Sequence, residues 1–242
     1  MPDLAPRALL IAPALVAFLL VAVLVGLLAP TPLPWVIGLV VGLAVAAAAT
    51  LWLERRAPEA AVRALGARHL AEGEEPRLES LVESVCASHG INEPVLYVVD
   101  SPAPDAAVAG TPTDTRLVVT TGALETLDRL ELEAVVAREL AQFGRGVHAA
   151  TVLVAVAPLF GPLAPRVRQR VLDHHRLALT DLEGVRLTRY PPALAGAFEK
   201  AAASSGVPDR PAVRHLWLIG PFGVTDAVQP PLDQRIDTLR EL

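Results

Sequence analysis

Two apolar runs joined by a turn reading PTPLP open the chain. Neither Ala8 to Ala29 nor Leu33 to Leu53 contains a charged residue. Each is long enough to cross a hydrocarbon core as a helix, which takes about 20 residues. A turn this short and uncharged makes the pair a hairpin. Trp35 and Trp52 stand near opposite ends of the second run, where interfacial aromatic residues belong. Arg7 precedes the hairpin and Glu54-Arg55-Arg56 follows it. Arginines on both outer flanks and none in the turn place both flanks in the cytoplasm. A cleaved signal peptide is the competing reading, but the first run is long for one and a second span follows at once. Gly38 and Gly42 form a GxxxG, a spacing that lets membrane helices approach closely.

The hairpin accounts for a mean hydropathy of +0.44, high for a soluble domain. Residues 1–56 are assigned to it, with helices at about 8–29 and 33–53. Residues 57–242 have the composition of one globular domain with a single core. The net charge of -5 carries no clustered basic face, which excludes a nucleic-acid footprint. Cys86 is the only cysteine, so no intrachain disulfide forms; it reads as a small buried hydrophobe.

Within the domain, Leu78, Leu81, Val82, Val85 and Cys86 recur at helical spacing, and Gly90 stops that helix. Pro94 to Asp100 and Arg116 to Gly122 are short, β-branched and bounded by turn residues, the signature of strands. DAAVAG between them reads as an edge strand or extended loop. Helices are expected over Glu125–Val147, Arg166–Leu187 and Ala193–Ser204, with an amphipathic one closing the chain after Pro231. The apolar segment Ala149 to Pro165 carries three prolines and is expected to dip into the bilayer or lie at its surface. The fold class is α+β: mostly helices around a small sheet.

The most informative stretch is LELEAVVARELAQFGRGV, Leu130 to Val147. With LYVVDSPAPDAAVAG, VVTTGALETLDRLELEAVVAREL, TDLEGVRLTRYPPALAGAFEKAA, HLWLIGPF and QPPLDQRIDTLREL, in this order, it resembles the HtpX-like family of integral-membrane zinc metallopeptidases. The resemblance covers most of the chain and implies a zincin-like domain behind the hairpin. The family carries H-E-x-x-H on the long helix, because histidines at i and i+4 share a face and can grip one zinc. A glutamate on a later helix supplies the third ligand. The metal lowers the pKa of its bound water, and the Glu after the first His takes the proton.

Here the same positions read RELAQ. Arg138 and Gln142 replace the two histidines, while Glu139 survives at the general-base position. On the later helix RLALTD puts Leu177 at the third ligand and keeps Asp181. Asp105, Val147 and Gln229 stand where the family usually has Asn, Asp and His. Arginine keeps its proton and cannot bind zinc, and leucine has no donor atom. The expectation is therefore no metal and no cofactor, zinc having been lost. A rebuilt site from His148, Asp173 and His174 is the competing arrangement.

The resulting reading is a catalytically inactive pseudopeptidase in a bacterial inner membrane, multi-pass, with its domain cytoplasmic. Its expected partners are membrane lipid and peptide or membrane-protein segments, or an active paralogue. Extended peptide would pair with an open edge at Asp105, Ala106, Ala107, Val108, Ala109 and Gly110. Two alternatives stand beside it: an active endopeptidase with a non-standard metal site, and a structural membrane partner with an occluded cleft. Arg138 is expected to bridge to Asp181, or to Glu183, across the old metal site, with Leu177 as apolar filler. Glu139 is the poorer partner on helical geometry, since adjacent residues do not face each other.

Overall fold

The computed structural model describes residues 4–27, 32–111, 113–144, 146–172, 176–222 and 230–242, with backbone alone for 4–13, 26, 32–34, 144 and 176–178. Helices α1 (Leu4–Gly26) and α2 (Pro32–Leu65) pack antiparallel. A Cβ on Gly38 would stand 2.9 Å from the carbonyl oxygen of Ala22, and one on Gly42 2.9 Å from that of Phe18. The GxxxG is thus a contact face, while Leu20, Leu24, Val40 and Leu43 face outward. Trp35 and Trp52 lie about 25 Å apart along α2 at 1.5 Å per residue, close to the thickness of a hydrocarbon core. Arg56 sits over the Trp52 ring, 5.8 Å from its centroid.

The boundary expected at residue 56 falls inside α2, which runs on without a break. Ala57, Ala61, Val62 and Leu65 are at most 3% exposed and form part of the domain core. The domain then contributes β1 (Arg68–His69), α3 (Pro76–His89), β2 (Val95–Val99), β3 (Ala106–Gly110) and β4 (Thr115–Thr120). The sheet order is β1-β2-β4-β3, with β2 and β4 parallel and the outer pairs antiparallel. The two expected strands are present, and DAAVAG forms the edge strand β3. The two-residue β1 is too short to show any period in sequence. The five apolar residues expected on the face of α3 are all buried, and Gly90 takes a φ of 64° at its end.

Side chains alternate across the sheet, as a period of two requires. Val98, Ala106, Val108, Leu117 and Val119 face a core shared with α3 and the later helices. Val99, Ala107, Ala109 and Val118 face a second core with the end of α2. With both faces covered, β3 is buried along its whole length.

The helix expected over Glu125–Val147 is several pieces. Helix α4 covers Thr121–Thr126 and α5 Arg129–Ala141. Asp128 starts α5 with a capping box, its Oδ1 accepting from Glu131 N at 2.9 Å while Glu131 Oε2 accepts from Asp128 N at 2.7 Å. After a 3₁₀ turn at Gln142–Gly144, Gly146 takes a φ of 77° and α6 (Val147–Phe160) begins. The helix expected over Arg166–Leu187 also divides, into α7 (Ala164–Val171) and α8 (Arg176–Thr188). Leu172 turns extended after α7, at φ -90° and ψ 122°. Helices α9 (Pro191–Ala202) and α10 (Leu232–Arg240) follow. Proline occupies the first turn of α9, where its missing N–H is no loss.

Helix α6 packs between the hairpin and β3. From Val147 to Val154 it is buried on nearly every side. Thr151 Oγ1 accepts from Gly110 N at 2.8 Å, and His215 Nε2 donates to Ala150 O at 2.9 Å. Its last residues and the 3₁₀ turn that follows at Gly161–Leu163, Pro158 to Leu163 together, are largely exposed. By length and apolarity Trp35–Leu65 and Val147–Val171 are each candidate membrane spans.

Candidate functional site

Helices α5, α8 and α10 bring four charged side chains together in the interior. Arg138 and Glu139 are 0% exposed, Asp181 4% and Arg235 5%. Arg138 Nε donates to Asp181 Oδ1 at 2.9 Å, the bridge expected from the sequence. Glu139 is no poor partner: its Oε1 lies 2.5 Å from Arg138 Nη1. Adjacent side chains leave a helix about 100° apart, but a guanidinium on a long stem reaches back around the axis. Glu139 Oε2 also accepts from Gln142 Nε2 at 2.9 Å. Glu183, the other partner considered for Arg138, lies 3.4 Å from Arg186. The side chains of Leu177, His174, Asp173 and Gln229 lie outside the described residues, so the packing of Leu177 and the rebuilt metal site do too.

Arg235 was not among the residues singled out from sequence. Its Nε donates to Asp181 Oδ2 at 2.7 Å, Nη2 to Oδ1 at 2.8 Å and Nη1 to Leu218 O at 2.7 Å. Its guanidinium also stacks 4.4 Å from the Phe198 ring centroid. A signal was present: Leu232, Arg235, Ile236 and Leu239 share one stripe of α10, so Arg235 occupies a core position. Gly184 is the second omission. A Cβ there would meet Cα and Cβ of Arg138 at 2.6 Å, so only glycine lets α8 lie this close to α5.

Two guanidiniums and two carboxylates balance within the cluster. Burial opposes the charge on Arg138, but Glu139 and Asp181 outweigh it and hold its pKa above the ordinary value. Burial likewise opposes charge on Asp181, yet Arg235 and Arg138 keep its carboxyl below the usual range. Within the cluster, Arg138 Nη2 has no hydrogen-bond partner among the described residues.

Asp105 lies at the start of β3. It is 3% exposed, and its carboxylate accepts from Gly220 N at 2.8 Å and Ile219 N at 3.1 Å. Burial pushes its pKa up to about 7, against the pull of the Gly220, Ala106 and Ile219 N–H groups, and Glu139 adds to the rise. The edge beyond it, expected to be open to peptide, is closed. Ala106 O accepts from Leu218 N at 2.7 Å, and Ala107 pairs with Trp217. The gap beside Asp105, Val135, Phe198 and Leu218 is too small for a water molecule.

The residues do not fit the zinc that the resemblance implies. A dication needs three converging lone-pair donors. Arg138 has only N–H donors and no lone pair to offer, and both oxygens of Asp181 are taken by guanidiniums. Among the described residues no three His, Cys, Asp or Glu side chains converge.

The sequence profile of peptidase family M48 matches residues 72–161, which hold β2, β3, β4 and α5. A protease HtpX homologue of Tropheryma whipplei strain Twist is 30% identical over 226 residues, spanning 75% of this chain and 78% of the relative. The chain belongs to the HtpX-like family. HtpX homologues of Dictyoglomus thermophilum and Pyrococcus furiosus are 28% and 27% identical, covering 72% and 73% of this chain and 72% and 76% of their own lengths. This HtpX-like chain is a membrane-anchored protein of a peptidase family, mostly helical around a small mixed sheet.

Proposed function

We propose that this HtpX-like protein is a non-catalytic member of its family. Its former metal centre serves as a structural core, and its domain acts by docking with other membrane proteins, an active relative included. The observation that carries the reading is the Arg138 guanidinium, 0% exposed and bound to both Glu139 and Asp181. On the resemblance it stands at the first zinc ligand. A general base needs an acidic water to deprotonate, and Glu139 has a guanidinium and an amide instead. Of the two alternatives, the occluded structural partner draws support from the closed β3 edge. Main-chain capture of peptide at Asp105–Gly110 would first require Trp217 and Leu218 to leave.

The test uses the full chain extracted in detergent. Purified protein incubated with excess zinc and then desalted is expected to hold far less than one zinc per chain, and to cut an unfolded membrane-protein substrate no faster with zinc than with chelator. One tightly held zinc together with chelator-sensitive cleavage would sink the proposal.

A further inference from the structure

The elbow between α6 and α7 has features that the closed ion-pair core does not use. A cavity of about 610 Å³ opens behind it, walled by Leu153, Ala157, Phe160, Val167, Arg168 and Pro211 among others. That volume is in the range of small-molecule sites, and the wall is mostly apolar. Leu159 and Leu163, on the outside of the same elbow, are 63% and 51% exposed. Neighbouring exposed leucines are unfavourable in water and favourable at a bilayer surface.

The charge pattern points the same way. From Val147 to Leu172 the chain has no acidic residue, and α7 carries Arg166, Arg168 and Arg170. Arg166 and Arg170 are exposed and share one face at i, i+4. Arg168 and Arg214 stand in the cavity wall, where Arg168 Nη1 donates to Pro211 O at 2.7 Å and Arg214 pairs with Asp209. Helix α6 packs against both α1 and α2, so the elbow continues a helix that lies against the hairpin. Leucines outside, an apolar cavity within and arginines along the rim match a molecule with an acyl chain and a phosphate.

We propose that this cavity holds an acyl chain of one anionic phospholipid from the cytoplasmic leaflet, with the phosphate among the α7 arginines. The inference rests on membrane anchorage alone and stands whether or not the protein cleaves peptides.

The experiment is native mass spectrometry of the full-length protein in detergent, with dioleoyl phosphatidylglycerol or dioleoyl phosphatidylcholine added. One phosphatidylglycerol should be retained per chain, about tenfold better than phosphatidylcholine given two exposed arginines at the headgroup. Arg166→Gln/Arg170→Gln, which alters only exposed positions, should abolish that preference. Ala157→Phe should weaken retention of both lipids by filling the cavity. Equal retention of the two lipids by the unaltered chain overturns the proposal, as does an unchanged preference in the double variant. Inorganic phosphate is the control for an adventitious anion: displacement of the lipid by millimolar phosphate also overturns it. A photoreactive residue at position 163 in native membranes should crosslink to lipid, and a crosslink to a second copy or another polypeptide instead would refute it.

Discussion

Arg235 meets Asp181 side-on, with Nε 2.7 Å from one carboxylate oxygen and Nη2 2.8 Å from the other. Arg138 approaches the same carboxylate through Nε. One aspartate on α8 therefore ties down α5 and α10 together. Asp181→Asn keeps the shape and removes the charge both guanidiniums need. It is expected to destabilise the domain by at least about 3–5 kcal/mol, the range for stranding a buried charge. Chemical denaturation in detergent, followed by tryptophan fluorescence, gives the number; a loss under 1 kcal/mol would mean the cluster is solvated in solution.

Arg138→Met leaves Asp181 with Arg235 and takes from Glu139 the guanidinium that pairs with its charge, leaving it the Gln142 amide. A loss of about 3–5 kcal/mol is again expected. Adding Glu139→Leu should recover most of it, since apolar packing can replace a buried ion pair at little net cost. If the double variant is less stable than the single one, Glu139 has a structural role beyond its pairing with Arg138.

Gly184→Ala tests the close approach of α8 to α5. Alanine favours the helix by about 1 kcal/mol, but its methyl would stand 2.6 Å from Arg138 Cα. Overpacking of this kind costs about 1–3 kcal/mol, so a net loss is expected where an exposed helical glycine would show a gain. Thermal denaturation of the two proteins side by side gives the sign.

Stability should depend on pH through Asp105. Its folded pKa is pushed up to about 7, against about 3.9 in an unfolded chain. Between those values the folded state keeps a proton that the unfolded state has released, so stability falls as pH rises through the window and levels off above it. The limiting slope is about 1.4 kcal/mol per pH unit. Asp181, with its lowered pKa, acts oppositely and only in acid, where stability is lost as pH falls. Asp105→Asn should flatten the pH 4 to 7 slope. It also gives up one bond, because an amide nitrogen cannot accept from Gly220 N–H.

Much of this architecture was legible from local pattern. The hairpin, α3, two strands and the edge strand follow from apolar periodicity and turn residues, and the Arg138–Asp181 bridge follows from the charges at the positions that the family resemblance singles out. Helix breaks were missed where chemistry outweighed periodicity. Asp128 with Glu131 three residues later is a capping box inside an apolar pattern that looks continuous, and Gly146 separates α5 from α6. The pairing of Arg138 with Glu139 was discounted because the helical wheel describes Cβ directions and not the reach of a long side chain. Arg235 was missed because an arginine in an amphipathic helix is ordinarily on its wet side. Closure of the β3 edge depends on Trp217 and Leu218, more than a hundred residues away, and no local signal announces it.

Helix α2 has 34 residues and is about 50 Å long, so one helix carries both the candidate membrane span and, around Pro58, the residues that enter the second core. Most anchored domains hang from a tether and can swivel. Here the candidate span and a wall of the domain lie on one helix, with Ala57, Ala61 and Leu65 of that helix packed into the second core. A tilt of the helix in lipid is then passed to the sheet through this packing and not through a linker, and a bilayer of different thickness is expected to turn the domain's surface with it.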